Sequence, residues 1–408
     1  MTQVIDRLAP IAAKGPVVAT HVGAFTETNT RQTYERYNRE ALTYVRPPEI
    51  AAFQQQMLDK ILSQGTAIGC IVAPFGYGKT SAAIDTWKLC ESKGILALPP
   101  FSCSSIGELG QAMASGVIER LGPDRIAKIR EAHDTLIVSS AQRLAEQDSE
   151  QYQIDFETAL RSIEDKIERG ILQVEAMSNH LLIFIEQLTQ IVVDAGYKGL
   201  LVIVDEFQQF LGNINKTTIT NFRTLVWGLR TRGAVPFGFL ITMDPDTERN
   251  LNERAGDIMH RIKEDSLFLD FTNAYDREFP RLLWARYAET LGFTDDSQQI
   301  VDYATLDAIG QIGERHDLSN GPRTVIDIFQ RIANTYTDKR RPYLPIDLID
   351  DFMTGAIRFD GDQSKIASLV TELTSYDYIK RMPKRFETLK LIAAFPRGCR
   401  VKWPNGTI

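Results

Sequence analysis

The sequence has few cysteines and histidines, and their positions form no metal-binding or disulfide pattern. There are four cysteines and five histidines in 408 residues. The cysteines are Cys70, Cys90, Cys103 and Cys399. Zinc sites use closely spaced pairs of such ligands, and disulfide frameworks use regularly spaced cysteines. The sequence therefore supports neither kind of site, and it favours a reducing, cytoplasmic location.

Long apolar runs are also missing. No run reaches the length of a membrane-spanning helix. The first residues, MTQVIDRLAPIAAKG, place Asp6 before a short apolar patch and contain no long apolar stretch of the kind found in secretory signals. We therefore predict no membrane association.

Composition and length are those of a globular chain. Hydrophobic residues make up 43% and charged residues 24%, which argues against wholesale disorder. The length suits two or three domains and a sizeable core.

The charge is acidic as a whole and basic near the C-terminus. The formal net charge is −7. Residues 377–402 contain eight basic and two acidic side chains, a net +6, which leaves −13 for the rest. Tyr376, Phe386 and Trp403 lie among or beside these basic residues. Basic side chains bind DNA phosphates and aromatic rings stack on bases, so this pattern predicts DNA binding by residues 376–403. A solvated basic helix face is the alternative.

A short apolar segment leads into a glycine-rich turn and then into a helical pattern. Residues 67–72 are rich in isoleucine, as is typical of a strand buried on both faces. The helical pattern ends at Gly94. Backbone N–H groups in such a turn, at a helix N-terminus, form a site for phosphate.

This segment predicts a nucleotide-binding phosphate loop. Its binding residues are Ala73, Pro74, Phe75, Gly76, Tyr77, Gly78, Lys79, Thr80 and Ser81. In such loops the lysine reaches the β and γ phosphates and the Thr hydroxyl holds Mg²⁺. Ala73 stands where the motif usually has its first glycine, and alanine tolerates most turn conformations except those with positive φ. A strand–turn–helix that merely carries Lys-Thr is the alternative.

A second apolar segment ends in two acidic residues. Residues 200–204, LLVIV, predict a central parallel strand, and Asp205 and Glu206 follow. Ligands bind at the carboxyl ends of strands in open α/β sheets. Asp205 is therefore a candidate for holding Mg²⁺, usually through water, and Glu206 for polarising an attacking water. An ordinary solvated strand end is the alternative. Further strands are predicted at 95–98, 237–242 and 267–271.

Residues 123–195 show almost no strand pattern. We predict helices here, with breaks near Asp148-Ser149 and Gly170. The last helix carries apolar residues seven apart in two interleaved series, the spacing of a packed seam: Val174, Leu181, Leu188 and Ala195, and Met177, Phe184 and Ile191. This spacing leaves two interpretations open, a core stripe and a docking surface for a partner protein or neighbouring subunit.

These motifs, in this order, resemble those of the AAA+ ATPases, and most of all the branch of origin-recognition initiators and helicase loaders. The resemblance covers about residues 44–337. Four features carry it: Arg46-Pro47-Pro48-Glu49 with the helix it opens, the phosphate loop, the strand ending in Asp205-Glu206, and Asn320-Gly321-Pro322-Arg323-Thr324 at the start of an amphipathic helix.

The resemblance implies roles for particular residues. Arg46 would lie at the nucleotide edge, and Arg323 would reach the γ-phosphate from a helical lid. Thr242 occupies the place of the first sensor, where family members often have asparagine, which bears on the efficiency of hydrolysis. Arg254 and Arg261 are the candidates for an arginine finger supplied across a subunit interface, with Arg261 slightly favoured.

The resemblance also implies an architecture and a function. The fold is expected to be a three-layer α/β/α sandwich with a parallel sheet. The predicted domains are an N-terminal arm (1–44), an ATPase core (45–272) with a helical insertion at about 123–196, a helical lid (273–345), and a basic, winged-helix-like segment (346–408). A weaker likeness, in general layout, is to ATPases of BREX-type phage defence.

The expected cofactors are ATP and Mg²⁺, and the expected function is an ATPase that assembles or remodels a nucleic-acid or protein complex. The expected partners are copies of the chain or other subunits joined at ATP interfaces. An ATP-binding switch with little turnover is the second hypothesis.

Overall fold

The computed structural model describes residues 2–13, 35, 43–63, 65–122, 125–168, 178–211, 216–231, 235–264, 267–270, 275–314, 318, 321–357, 402–403 and 406–407. The chain forms two compact units. We call Ala19–Thr272 the sheet unit, and Met1–Val18 together with Asn273–Ile408 the helical unit.

The sheet unit contains five strands that are all parallel. They are β1 (Ala67–Val72), β2 (Leu96–Ala97), β3 (Leu200–Val204), β4 (Phe237–Met243) and β5 (Phe268–Asp270). Their order in the sheet is β2-β3-β4-β1-β5. All five agree with strands predicted from the sequence, to within two residues at each end.

The order of the strands determines on which face of the sheet each connecting helix lies. The connection from β1 to β2 crosses the sheet in one direction, and those from β2 to β3, β3 to β4 and β4 to β5 cross in the other. Because crossovers between parallel strands are right-handed, the two sets of helices lie on opposite faces. The predicted three-layer α/β/α fold with a parallel sheet is therefore confirmed.

The central strands are apolar because both of their faces are covered. Every residue of β1, β3 and β4 is buried, so a continuous aliphatic run is what these positions require. Cys70, Cys90 and Cys103 are buried and free. Burial raises the pKa of the Cys90 thiol to about 12, so that it stays protonated at neutral pH.

Helices connect and cover the strands. The chain begins with α1 (Thr2–Ala12), which belongs to the helical unit. The helices of the sheet unit are α2 (Pro48–Leu62), α3 (Lys79–Ser92), α4 (Ile106–Leu121), α5 (Ile126–Tyr152), α6 (Phe156–Glu168), α7 (Ser178–Asp194), α8 (Gln208–Leu211), α9 (Lys216–Thr231) and α10 (Pro245–Glu264).

Helix α4 begins with a side-chain cap. The Glu108 N–H donates to Ser105 Oγ at 3.2 Å. The Glu108 carboxylate accepts from the Ser104 N–H at 2.7 Å. The first contact satisfies a donor that the helix N-terminus leaves without an intrahelical partner, and the second fixes the residue before the N-cap.

One predicted helix break lies a few residues further along the chain. Helix α5 continues through Asp148-Ser149 and ends at Tyr152, and Gln153 follows with φ 53°. Aspartate and serine lower helix propensity by only tenths of a kcal/mol. Packing against α6 outweighs this cost, through a small apolar cluster of Ala141, Ala145, Ala159 and Ile163. The break predicted near Gly170 lies outside the described residues.

The apolar seam of α7 belongs to the core. Leu181, Phe184 and Leu188 are buried in the main cluster of the sheet unit, and Ile191 packs against it. The core interpretation is confirmed for these residues, while Val174 and Met177 lie outside the described residues. A partner protein on the helical insertion would have to use other side chains.

The described part of the helical unit consists mainly of helices. After α1 it contains α11 (Phe279–Leu291), a 3₁₀ turn (Thr294–Asp296), α12 (Ser297–Ile300), α13 (Tyr303–Glu314), α14 (Pro322–Lys339) and α15 (Pro345–Met353). A short antiparallel pair, β6 (Lys402–Trp403) and β7 (Gly406–Thr407), lies near the C-terminus. Helix α14 is the amphipathic helix predicted after Asn320, and its apolar face is buried. The residues of that face are Val325, Ile328, Phe329, Ile332 and Ala333.

The start of the chain differs from the predicted arm. Val4, Leu8 and Ile11 are buried, and α1 lies against α14, where Gln330 Nε2 donates to the Ala12 carbonyl at 2.8 Å. The spacing of three and four residues between these apolar side chains is that of one helix face. Most of residues 14–42 lie outside the described part.

The described helices include none with both the length and the apolarity that crossing a membrane requires.

Candidate nucleotide-binding site

The sheet brings three predicted segments to one edge. Strand β4 lies between β1 and β3. The phosphate loop follows β1, the acidic pair follows β3, and Thr242 is the next-to-last residue of β4. Because the carboxyl ends of parallel strands meet at the same edge, these segments are neighbours, at the kind of edge where open α/β sheets bind ligands.

The loop has the backbone conformation that its glycines allow. Gly76 and Gly78 have φ of 87° and 84°, a region that side-chain-bearing residues rarely adopt. Gly78 is the N-cap of α3, so the first N–H groups of that helix open toward the loop. Ala73 comes directly after β1, and its N–H donates to the carbonyl of Met243 on β4 at 3.2 Å. Its φ is not positive, so alanine can occupy this position.

The side chain of Lys79 lies along the loop. Lys79 is 5% exposed, and its Nζ donates to the carbonyls of Ala73 at 2.8 Å and Pro74 at 3.3 Å. These contacts hold a positive charge inside the turn. Phe75, by contrast, is 62% exposed, while Pro74, Tyr77 and Ser81 are partly buried.

A hydrogen-bond network joins the loop to the acidic pair. Thr80 Oγ1 donates to Asp205 Oδ2 at 2.6 Å. Thr242 Oγ1 donates to Asp205 Oδ1, and it accepts from the Glu206 N–H at 3.2 Å. Asp205 and Thr242 are fully buried. Both carboxylate oxygens of Asp205 are thus held in place, one by the loop and one by β4.

Glu206 has an unusual backbone conformation. Its φ is 54°, a conformation that costs a residue other than glycine about 1–3 kcal/mol and that recurs at active sites and ligand-binding turns. Thr242 holds the backbone before and after this residue. The Glu206 N–H donates to the Thr242 hydroxyl, and the Phe207 N–H donates to the Thr242 carbonyl at 2.8 Å. Gln208 Nε2 donates to Glu206 Oε2. Sequence reasoning missed Gln208, since no motif marks a residue two positions after the acidic pair.

The residues present fit Mg²⁺. This ion is usually bound by one or two carboxylates, by waters and by substrate phosphates. Thr80 and Asp205 supply a hydroxyl and a carboxylate within hydrogen-bonding distance of each other. Within the described residues, no group of three or more histidine, cysteine or acidic side chains could form a separate metal site.

Arg46 is held by a residue that the sequence did not single out. Its guanidinium donates to both carboxylate oxygens of Asp85, at 2.6 and 2.8 Å, and the hydrogen bond raises the pKa of Arg46. Gln54 Nε2 donates to the same carboxylate at 2.7 Å. The start of α2 is thereby tied to α3, the helix that carries Lys79 and Thr80.

The two finger candidates lie on α10. This helix is interrupted at Ala255, whose φ and ψ are −149° and 46°. Arg254 precedes the break and is exposed, whereas Arg261 follows it and is partly buried, with its guanidinium carbon 4.2 Å from the centre of the Trp227 ring. Sequence reasoning missed Trp227.

Arg323 belongs to the helical unit. It is exposed at the second position of α14. Gly321 precedes that helix with φ 48°, a conformation that favours glycine. The γ-phosphate contact expected of Arg323 stays a prediction.

No protein-family model matches the chain, and no curated protein matches it significantly. Among solved structures, the chain is similar to that of the Aeropyrum pernix ORC2 protein in its ADPNP–ADP complexes. The two are 15% identical with a TM-score of 0.41, and the match covers 88% of this chain and 85% of that chain. The likeness is distant, and the α/β fold follows from the strand order of the chain itself.

Proposed function

We propose that the chain is a Mg²⁺-dependent ATPase of the AAA+ type, whose cycle of ATP binding and hydrolysis drives the assembly or remodelling of a larger complex. The network from Thr80 through Asp205 to Thr242 carries this proposal. It joins Thr80 in the first turn of α3, Asp205 just after β3 and Thr242 near the end of β4 into one polar cluster beside a phosphate loop.

The side chains have complementary roles in this proposal. The loop amides and Lys79 bind phosphate oxygens, and Thr80 and Asp205 hold Mg²⁺, which would neutralise charge on the phosphates. Glu206 orients and polarises the attacking water. Positioning and electrostatic stabilisation are the main requirements of phosphoryl transfer, and this cluster supplies groups for both.

The proposal is tested with Glu206→Gln. We expect this variant to bind ATP like the parent, because the amide keeps the shape of the side chain and the loop is unchanged. Turnover should fall by about 10²- to 10⁴-fold, the usual contribution of a positioned acid–base group. Multiple-turnover phosphate release measures the rate, and equilibrium titration with a fluorescent ATP analogue measures binding.

Glu289→Gln is a matched control. Glu289 is an exposed carboxylate that pairs with Arg286 at 2.7 Å, on α11 of the helical unit, and its loss should leave both measurements unchanged. Parent protein that binds no adenine nucleotide would end the proposal. Unchanged turnover in Glu206→Gln would remove the role of Glu206.

A second candidate function is an ATP-binding switch with little turnover. The hydrogen bond from Gln208 to Glu206 favours it, because the amide occupies a carboxylate oxygen that would otherwise be open to the attacking water. The presence of Thr242 where related ATPases often have asparagine also favours it. Tight ATP binding with less than one phosphate released per chain would support the switch over the enzyme.

The nucleic acid or protein on which the proposed ATPase acts stays a prediction. DNA binding was predicted for residues 376–403, most of which lie outside the described residues. A role in anti-phage defence depends on a general likeness of layout, and a protein partner on the helical insertion is likewise a prediction.

A further inference from the structure

The later part of α5 and helix α6 form a hairpin with a small core of its own. Near its start, α5 contributes Ile129 and Ala132 to the main apolar cluster of the sheet unit. Its later residues Ala141 and Ala145 belong instead to the separate cluster shared with α6. Tyr152, the last residue of α5, lies about 30 Å along the helix axis from Ala132, because each residue advances a helix by about 1.5 Å. Packing of the main core therefore does not determine which side chains stand at the turn of this hairpin.

Two apolar side chains are exposed at the turn between α5 and α6. Tyr152 is 62% exposed and Ile154 is 39% exposed. The turn is held by polar contacts that use neither of these side chains. Ser149 Oγ donates to the Ile154 carbonyl at 2.7 Å, and the Asp155 carboxylate accepts from the Thr158 N–H at 3.2 Å. Tyrosine is enriched in protein interfaces, where its ring supplies apolar area and its hydroxyl stays hydrated.

The side chains around this turn are acidic. Residues 146–157, which we call the hairpin tip, have a net charge of −5 and no basic residue; their acidic residues are Glu146, Asp148, Glu150, Asp155 and Glu157. Glu150 lies in the last turn of α5, where the helix dipole disfavours a carboxylate. Among the residues that the structure describes, Asp148, Glu150 and Glu157 have no ion-pair partner. Folding of the hairpin therefore does not account for most of this charge. Such a surface repels nucleic-acid phosphates and attracts basic protein segments.

The same sequence contains a segment of complementary charge. Residues 377–402, the basic segment, carry a net +6 against the −5 of the hairpin tip, and most of them lie outside the described residues. Apolar residues stand among the basic ones, namely Phe386, Leu389, Leu391 and Ile392. Opposite charges steer two surfaces together, and buried apolar side chains then supply most of the affinity. The basic segment matches the hairpin tip in both respects.

We infer that the hairpin tip is a docking surface for the basic segment of a second copy of the chain. Every copy carries both members of this contact, so the interface is heterologous, and one copy can bind two neighbours. The contact requires no nucleotide. The inference is therefore independent of the proposed ATPase function.

The first test removes the charge of the hairpin tip in the full-length chain. The tip variant carries Asp148→Lys, Glu150→Lys and Glu157→Lys, which changes the net charge of the tip from −5 to +1. Sedimentation velocity without nucleotide measures association. The parent should form species larger than 46.0 kDa at about 0.1 M salt, and fewer at about 1 M, where the Debye length falls from about 10 to 3 Å. The tip variant should raise the dissociation constant by about 3- to 150-fold, since each of three lost pairs contributes a factor of about 1.4 to 5.

The second test supplies the two members of the contact on different copies. The segment variant carries Lys380→Glu, Lys384→Glu and Lys390→Glu, which changes the basic segment from +6 to 0. It should associate as weakly as the tip variant. An equal mixture of the two variants should form heterodimers, because the intact tip of the segment variant meets the intact basic segment of the tip variant. Neither variant should change in thermal unfolding.

A charge control and an apolar variant complete the design. Glu119→Lys, Glu131→Lys and Glu314→Lys, at three exposed positions outside the tip, change the net charge of the chain by the same amount and should leave association unchanged. Tyr152→Ser keeps the charge of the tip. It should weaken association at both salt concentrations, because the loss of an apolar contact does not depend on screening.

Three results would each overturn the inference. They are a parent that stays monomeric at every protein concentration without nucleotide, a charge control that weakens association as much as the tip variant, and a mixture that associates no more than its components. Association that follows the predicted pattern in a parent that hydrolyses no ATP would support the inference and end the proposed function.

Discussion

Thr242 connects the acidic pair, which follows β3, to the neighbouring strand β4. It is fully buried, donates to Asp205 and accepts from the Glu206 N–H. Replacement by valine keeps the shape and removes the hydroxyl. We expect Thr242→Val to lose about 1–3 kcal/mol of stability, because a buried carboxylate oxygen and a partly buried N–H each lose a partner. Turnover should fall at least about tenfold, the rate equivalent of ~1.4 kcal/mol.

Thr242→Ser is the control, since it keeps the hydroxyl. Urea denaturation measures the stability, and phosphate release at saturating ATP measures turnover. ATP affinity should change little in either variant, because the phosphate loop belongs to a different strand end. If Thr242→Val hydrolysed ATP at the parent rate, the network would be structural only.

The residues predictable from the sequence are those marked by a local motif. The loop from Ala73 to Thr80 and the pair after Val204 stand in short patterns whose chemistry follows from residue type and spacing. Gln208, Asp85 and Trp227 were missed, because each acquires its role from a partner. For Asp85 and Trp227 those partners, Arg46 and Arg261, are distant in the chain. Only a fold brings such pairs together.

At the scale of elements, α13 depends on a close backbone contact. A Cβ at Gly310 would lie 2.0 Å from the Arg277 carbonyl oxygen and 2.9 Å from its carbon, and backbone cannot rotate away as a side chain can. We expect Gly310→Ala to destabilise the helical unit by about 1–3 kcal/mol, the usual cost of overpacking. Thermal unfolding monitored by circular dichroism measures it.

Gly313 provides the matched control on the same helix. A Cβ there would meet only Leu318 Cδ1, at 3.6 Å, which is an ordinary contact. Gly313→Ala should therefore stabilise the protein by about 0.5–1 kcal/mol, because alanine is the better helix former. The two substitutions should move the melting temperature in opposite directions, and a shift of the same sign would contradict the packing described for α13.

The elements themselves differ in how well the sequence specified them. The strands β1, β3 and β4 were predictable because burial on both faces demands a continuous aliphatic run. The length of α5 was not, since its packing against α6 outweighs weak local preferences. Helix α1 was missed although its apolar residues have helical spacing, because a single short amphipathic segment is marginal without the surface that it covers.

At the scale of the whole molecule, charge is distributed unevenly. The basic residues 377–402 carry +6 and the remainder carries −13. Two copies would attract each other where the basic segment of one meets the acidic part of another and repel where two acidic parts meet, in both cases over about a Debye length, roughly 8 Å at physiological ionic strength. Charge alone therefore does not set how copies associate, and a nucleotide bound between copies would supply specific contacts.

The proposed supply of an arginine across a subunit interface would make hydrolysis depend on assembly. We expect particles larger than the 46.0 kDa chain in the presence of Mg²⁺ and a non-hydrolysable ATP analogue, and smaller ones without it, as measured by mass photometry. Phosphate release per chain should rise with protein concentration and then level off, because only assembled sites contain the arginine.

Arg261→Ala should lower the plateau, by as much as about 10³- to 10⁵-fold if the GTPase precedent applies, while particles still form. A monomer under all conditions, with a rate per chain that is independent of concentration, would show that each copy completes its own site.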